Sequence, residues 1–302
     1  MPRRATCLPC VSLAIWLVGC NPPPVGIYET TSYDGVEFIR RGDKPLLMDV
    51  VVPTVAPMPR PAVLVLHGGG WVSGDRSLDK DMARFLASLG YTAATADYRL
   101  YPEGGVYPAS VADSLAAVKF LRSHADDYGI DARRVAIAGE SAGGQLALLV
   151  GMVEDHAIFR DESFPGVRSD VQAVVAIYAP TDLAALWKEG GWITRRLGIG
   201  YLGCPPDQCP DKWREASPIT HARGDTPPIL ILHGDQDRVV PISQADRLHS
   251  ALKAAGAPSL LARVPGGSHG WGLYFNGVQS QRTLPIIAQF LSRSLASAAG
   301  AS

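Results

Sequence analysis

Apolar and polar positions along the chain fall into two alternating rhythms. The segments AVLVLH (62–67), YTAATADY (91–98), RVAIAG (134–139), AVVAIYA (173–179), ILILH (229–233) and SLLARVP (259–265) are short apolar runs bounded by turn-forming residues. That is the pattern of strands buried on both faces. Between them, apolar residues recur at helical spacing. Leu78, Met82, Phe85, Leu86 and Leu89 form one such face, with Gly90 at the position of a C-terminal cap. Further helices are predicted over about 108–124, 243–255 and 283–297. Ahead of this alternation, GVEFIRRGDKPLLMDVVVP (35–53) offers two extended runs around Gly42-Asp43, an antiparallel hairpin at a sheet edge.

Strand–helix alternation with apolar strands predicts an α/β protein, a mostly parallel central sheet with helices on both faces. The rhythm breaks over 183–228, a stretch rich in Trp, Gly and Pro, which reads as a small lid or cap insert. A single domain is expected over 33–302. It follows a proline-rich, extended tether over 20–32 and a leader over 1–19.

The chain has 302 residues, 47% hydrophobic and 19% charged, enough to bury a large core. A net charge of −1 without a Lys/Arg run argues against a nucleic-acid partner, which needs clustered positive charge. The leader places Arg3 and Arg4 before the apolar stretch VSLAIWLVG, the order of an export signal and too short for a stable membrane span. Its end, Leu17-Val18-Gly19-Cys20, resembles the lipobox of bacterial lipoproteins. By that resemblance the leader is cut before Cys20, and Cys20 carries the lipid that holds the protein in the bacterial cell envelope. Asn21 weakly favours the outer membrane by the same analogy. Cys7 and Cys10 leave with the leader, so Cys204 and Cys209 remain as an exported pair across a proline-stiffened spacer, and a disulfide is expected over free thiols or zinc. The seven histidines lack metal-ligand spacing, so a metal enzyme is not expected.

The candidate chemistry centres on GESAGG. Ser141 follows a strand-like run and precedes the helix-like GQLALLV, the strand–turn–helix setting that presents a nucleophilic hydroxyl. HGGGW (67–71) follows another strand, and its glycines leave amides open to a ligand. Gly69 and Gly70, with the amide of Ala142, are candidate oxyanion donors. A serine needs a base and the base an orienting acid. His269 in VPGGSHGW and Asp237 in HGDQDRVVP supply them, in the order Ser141, Asp237, His269. Asp235 competes with Asp237 but suits a turn cap, and Asp182 reads as a helix start. His67 and His233 read as hydrogen-bonded core histidines, while His124, His156, His221 and His249 have no partner motif. Glu140 is placed behind the nucleophile, supporting the glycine loop, and Asp97 with Arg99 as an ion pair supporting that loop or lying on the surface.

Taken in order over about 45–295, HGGGW, DYRL, GESAGG, HGDQDRVVP and GSHGW resemble the α/β-hydrolase esterases, particularly the BD-FAE-like group near the hormone-sensitive-lipase branch. The resemblance implies an α/β-hydrolase fold, a Ser141–His269–Asp237 triad, and hydrolysis of carboxylic esters through an acyl-enzyme without a cofactor. Small acyl esters, acetyl or feruloyl polysaccharide esters and lipid esters are all possible substrates. Two alternatives stand beside it: a prolyl-oligopeptidase-like serine peptidase and a non-catalytic binding protein on the same scaffold. The segment 183–216 departs from the family pattern. There Trp187, Trp192 and Trp213 either line a pocket or simply pack.

Overall fold

The computed structural model describes residues 28–153, 159, 163–273 and 277–299. The leader, Cys20, most of the tether and His156 lie outside them. Eight strands are present among the described residues: β1 (Thr30–Arg41), β2 (Lys44–Pro53), β3 (Arg60–Leu66), β4 (Thr92–Ala96), β5 (Ile130–Glu140), β6 (Ala173–Ile177), β7 (Ile229–Gly234) and β8 (Ser259–Val264). They form one sheet in the order β1-β2-β4-β3-β5-β6-β7-β8. β1 and β2 make the antiparallel edge hairpin, β2 joins β4 antiparallel, and from β4 onward every pairing is parallel.

The hairpin begins earlier than the sequence suggests. Thr30, Thr31 and Ser32 pair with Pro53, Val52 and Val51, so the last residues of the expected tether are strand. The apolar end of β2 extends far enough to offer them a hydrogen-bonding edge, which composition alone does not reveal.

Helices α1 (Lys80–Ser88), α2 (Ala109–Ser123), α3 (Ala142–Met152), α4 (Leu183–Glu189), α5 (Trp192–Leu202), α6 (Pro210–Glu215), α7 (Ser243–Ala254) and α8 (Val278–Ala299) complete the fold. Side chains alternate across a strand, and β3 shows the result. Val63 and Val65 join Met82 and Leu86 of α1 and Ile287, Leu291 and Leu295 of α8 in one apolar layer. Leu64 and Leu66 join Leu115 of α2, Leu146 of α3 and Leu248 of α7 in the other. Each such side chain, fully buried, stabilises the fold by roughly 1.5–3 kcal/mol. The sheet is therefore held from both sides, and the loops at its carboxyl ends are left to carry chemistry.

Helices α4–α6 and a short 3₁₀ turn at Pro218–His221 occupy the segment that broke the rhythm. Asp182 caps α4, its side chain accepting from the Ala185 amide at 2.9 Å. Cys204 and Cys209 form a disulfide between the end of α5 and the start of α6, and the Trp213 indole donates to the Cys204 carbonyl at 2.9 Å. Among the described residues, no helix is long and apolar enough to cross a membrane.

Candidate active site

The chain turns sharply where β5 meets α3. Ser141 sits at the turn with φ 51° and ψ −116°, a conformation costing a non-glycine residue on the order of 1–3 kcal/mol. The surroundings enforce it: the Ser141 amide donates to the Ile177 carbonyl at 2.9 Å, and its carbonyl accepts from Gln145 at 3.1 Å. Close approach of α3 to the sheet explains the glycine two residues on. A Cβ on Gly143 would lie 2.1 Å from the Leu66 carbonyl oxygen, so only glycine lets the helix start directly above β3.

Two loops at the carboxyl ends of β7 and β8 bring the other groups in. Ser141 Oγ lies 2.9 Å from His269 Nε2, and His269 Nδ1 lies 2.8 Å from Asp237 Oδ2. The buried Asp237 carboxylate accepts through Oδ1 from the amides of Val239 and Val240, each at 2.9 Å. Burial alone would raise its pKa, but hydrogen bonds from His233, His269 and the Val240 amide outweigh that and hold it well below the usual carboxylate range. An ionised Asp237 fixes the proton on Nδ1, leaving Nε2 to accept from the serine. Asp235 takes the turn role, accepting from the Gly266 amide at 2.8 Å and so tying the β7 loop to the loop that carries His269.

The glycine loop after β3 faces the same point. Gly69 has φ 113°, and a Cβ there would strike the Ser73 carbonyl oxygen at 1.9 Å. Among the described residues, the amides of Gly69, Gly70 and Ala142 donate to no other backbone carbonyl, which leaves them available to an incoming anion. Trp71 anchors the loop: its indole N–H donates to Gln145 at 3.1 Å, and its ring stacks on Tyr201 with centroids 4.4 Å apart. His67 is a core histidine, bonded to the Gly68 carbonyl and stacked on Tyr98 at 4.3 Å; burial pushes its pKa down. His233 is likewise buried and bonds the Val240 carbonyl at 2.8 Å.

A cleft of about 510 Å³ opens onto the serine, walled by the glycine loop, Tyr178, His269, Leu78, Leu197 and Val239. The tryptophans of α4, α5 and α6 are not in its wall. Trp187 and Trp213 pack edge-to-face on each other at 5.4 Å, Trp213 is buried, and Trp192 is 72% exposed. Among the described residues of α4–α6, Leu197 of α5 reaches the site, its Cδ1 lying 2.8 Å from where a Cβ on Gly70 would stand; nothing local in the sequence marks it. Tyr178 carries no local motif either, although its place one residue past β6 matches the strand-end position of the other site residues. Asp97 and Arg99 do not pair. Asp97 binds Arg76 at 3.0 Å, and Arg99 makes a bidentate contact to the fully buried Asp113 at 2.7 and 2.8 Å. Each is drawn to a partner from another element. Glu140 bonds not the glycine loop but the Tyr178 hydroxyl, at 2.5 Å. Among the described residues, no cluster of three or more His, Cys, Asp or Glu could hold a metal ion.

The BD-FAE family model matches residues 48–252. The chain belongs to the BD-FAE family. It is 30% identical over 282 residues to Esterase LipC of Mycobacterium tuberculosis, a match covering 90% of this chain and 68% of that protein. It spans 54% and 57% of two further curated relatives. Among solved structures, a truncated carbohydrate esterase from gut microbiota superposes with a TM-score of 0.77 at 26% identity, covering 91% of this chain and 100% of that one. A thermophilic esterase of Thermogutta terrifontis with propionate bound gives 0.73 at 26% identity, covering 90% and 96%. As a BD-FAE protein this chain is an α/β-hydrolase and a serine carboxylic ester hydrolase.

Proposed function

We propose that Ser141 is the nucleophile, His269 the general base and Asp237 its orienting acid, with the amides of Gly69, Gly70 and Ala142 as the oxyanion hole. The observation that carries this reading is the continuous line from Ser141 Oγ to His269 Nε2 at 2.9 Å and from His269 Nδ1 to Asp237 Oδ2 at 2.8 Å. As Oγ attacks the ester carbonyl, His269 takes its proton and the three amides receive the oxyanion. The imidazolium then protonates the departing alcohol, leaving an acyl-enzyme. Water, deprotonated by the same imidazole, releases the acid.

For the substrate we infer short acyl groups, about two to four carbons, on an alcohol that extends out of the cleft. Three things support this: the propionate-bound esterase neighbour, the carbohydrate esterase neighbour, and Leu197 standing against Gly70. p-Nitrophenyl esters of increasing acyl length, assayed beside acetylated xylan and peptide amides, test it. Acetyl to butyryl esters are expected to lead, and a preference for amides overturns the ester reading in favour of the peptidase.

We also propose that the mature chain is anchored through a lipid on Cys20 in the bacterial envelope, its support being the Arg3-Arg4 leader and Leu17-Val18-Gly19-Cys20. Cys20→Ser is expected to move the protein from the membrane to the soluble fraction. An unchanged distribution removes the proposal.

A further inference from the structure

The peptide unit between Ile177 and Tyr178 lies at the end of β6, which pairs on one side with the strand leading to Ser141 and on the other with the strand leading to Asp237. Its carbonyl accepts from the Ser141 amide at 2.9 Å, and its N–H donates to the Leu232 carbonyl at 2.7 Å. Held from both sides, Tyr178 takes φ 37°, in the left-handed region that favours glycine. Among the described residues, four non-glycine residues have positive φ, and three of them are Ser141, Tyr178 and Trp71 of the glycine loop. Backbone strain is thus concentrated at the active site, where the surroundings over-determine it. Glycine would suit the position of Tyr178 better, so the reason for a tyrosine there lies in its side chain.

That side chain spans from the nucleophile's neighbour to the base. The Tyr178 hydroxyl donates to Glu140 Oε2 at 2.5 Å, and Glu140 immediately precedes Ser141. The Tyr178 ring meets the His269 imidazole edge-on with centroids 4.9 Å apart, and meets the Trp271 indole in the same way at 5.4 Å. The loop bearing His269 therefore wraps around the tyrosine. It comes so near that a Cβ on Gly272 would lie 2.7 Å from the Tyr178 hydroxyl oxygen and closer still to Glu140 Oε1. Tyr178 and Glu140 are both buried, so water does not compete for the bond between them. Asp237 holds the imidazole through Nδ1 alone. One hydrogen bond fixes a point and leaves the ring free to swing about it; a contact on the ring itself removes that freedom.

We propose that Tyr178 is a positioning residue for His269. Tethered through its hydroxyl to Glu140, its ring is the second support of the imidazole and keeps Nε2 within hydrogen-bonding reach of Ser141 Oγ through both halves of acyl transfer. Tyr178 exchanges no proton itself; the proton that moves is the serine's, to His269 and on to the alcohol. The inference rests on the triad reading above.

The test uses the full chain with Tyr178→Phe, Glu140→Ala, Glu140→Gln and the double variant Tyr178→Phe with Glu140→Ala. Each is assayed on a p-nitrophenyl ester, with kcat scaled to the sites titrated by an organophosphate. Misplacing a reacting group by about 1 Å costs about 10²-fold, and a ring that loses its tether but stays in its pocket moves less. Tyr178→Phe and Glu140→Ala are each expected to lose about tenfold in kcat per titrated site, with KM within about twofold. Glu140→Gln keeps an oxygen that accepts from the hydroxyl and is expected to lose only about threefold. Both changes in the double variant cut the same bond, so its loss is expected to stay near tenfold rather than reach about hundredfold. A tyrosine that merely packs would lower the melting temperature and leave kcat per site unchanged. That result, or losses that multiply in the double variant, overturns the proposal. If Tyr178→Phe does not fold, Glu140→Ala against Glu140→Gln decides: a kcat gap of about threefold in favour of Gln supports the tether, and an equal or reversed kcat overturns it. Organophosphate labelling of the wild type separates the two readings. An unlabelled wild type fails the triad, while a labelled wild type with an unimpaired Tyr178→Phe fails this inference alone.

Discussion

Asp237 holds His269 through a 2.8 Å hydrogen bond from Nδ1 to Oδ2, and does so as a carboxylate whose other oxygen is already filled by two backbone amides. The acid is thus fixed before the base is. Asp237→Asn preserves shape but permits the wrong imidazole tautomer. Its kcat is expected to fall by about 10³–10⁴ with KM changed only a few-fold. Steady-state kinetics on a p-nitrophenyl ester check this, and a loss under tenfold contradicts the role given to Asp237.

The same carboxylate predicts an acid dependence of stability. Its folded pKa is lowered, so its contribution is fully present above the unfolded value of about 3.9 and is lost as pH falls through the folded value. Urea unfolding between about pH 5 and pH 3 should show the wild type losing stability more steeply than Asp237→Asn. Parallel slopes would mean that the carboxylate gains nothing on folding.

Ser141 stores strain that the fold tolerates for chemistry. At φ 51° a glycine is more comfortable than a serine. Ser141→Gly is expected to abolish turnover and organophosphate labelling while raising stability by about 1 kcal/mol. Thermal unfolding measures it; a destabilised variant would show that the hydroxyl's bond to His269 outweighs the strain.

These residues were legible because their signals are local. A serine needing a positive φ and a helix pressed onto a strand forces glycines into the adjoining positions, and Asp237 and His269 stand in short Gly-bearing loops directly after apolar runs. The sheet was legible for a related reason: β3, β4, β6, β7 and β5 from Val135 onward are buried on both faces, whereas β8, at the sheet edge, is half-exposed. What escaped reading depends on contacts between distant segments. Leu197 reaches Gly70 across more than a hundred residues, and nothing near it distinguishes it from Trp192, which faces solvent. Arg99 and Asp97 look paired in sequence, yet each ends on a partner from another element. Glu140 finds the Tyr178 hydroxyl only because the ends of β5 and β6 lie side by side.

The Cys204–Cys209 bridge closes a short loop, so its entropic contribution is modest, about 2 kcal/mol. It ties the end of α5 to the start of α6, and α5 carries Leu197. Reduction, or Cys204→Ser with Cys209→Ser, is expected to lower the unfolding free energy by about that amount and to raise KM more than it lowers kcat, since the triad lies on the sheet loops. Unfolding with and without dithiothreitol, paired with kinetics, tests both halves. A loss confined to kcat would place the effect at the triad instead.

Leu197 gives the sharpest test of how the cleft reads its substrate. Its methyl groups stand against Gly70, beside the proposed oxyanion donors, and it forms part of the apolar wall of the 510 Å³ cleft together with Leu78 and Val239. Removing the isobutyl group in Leu197→Ala makes room for a longer acyl chain. Each methylene newly buried is worth about 0.8 kcal/mol, or roughly fourfold in kcat/KM. The wild type is expected to peak at short acyl esters, and the variant to shift its optimum by about two carbons while losing a few-fold on acetyl esters, whose small acyl group then leaves part of the wall uncovered. An unchanged acyl profile combined with altered preference among alcohols would assign Leu197 to the leaving-group side of the cleft.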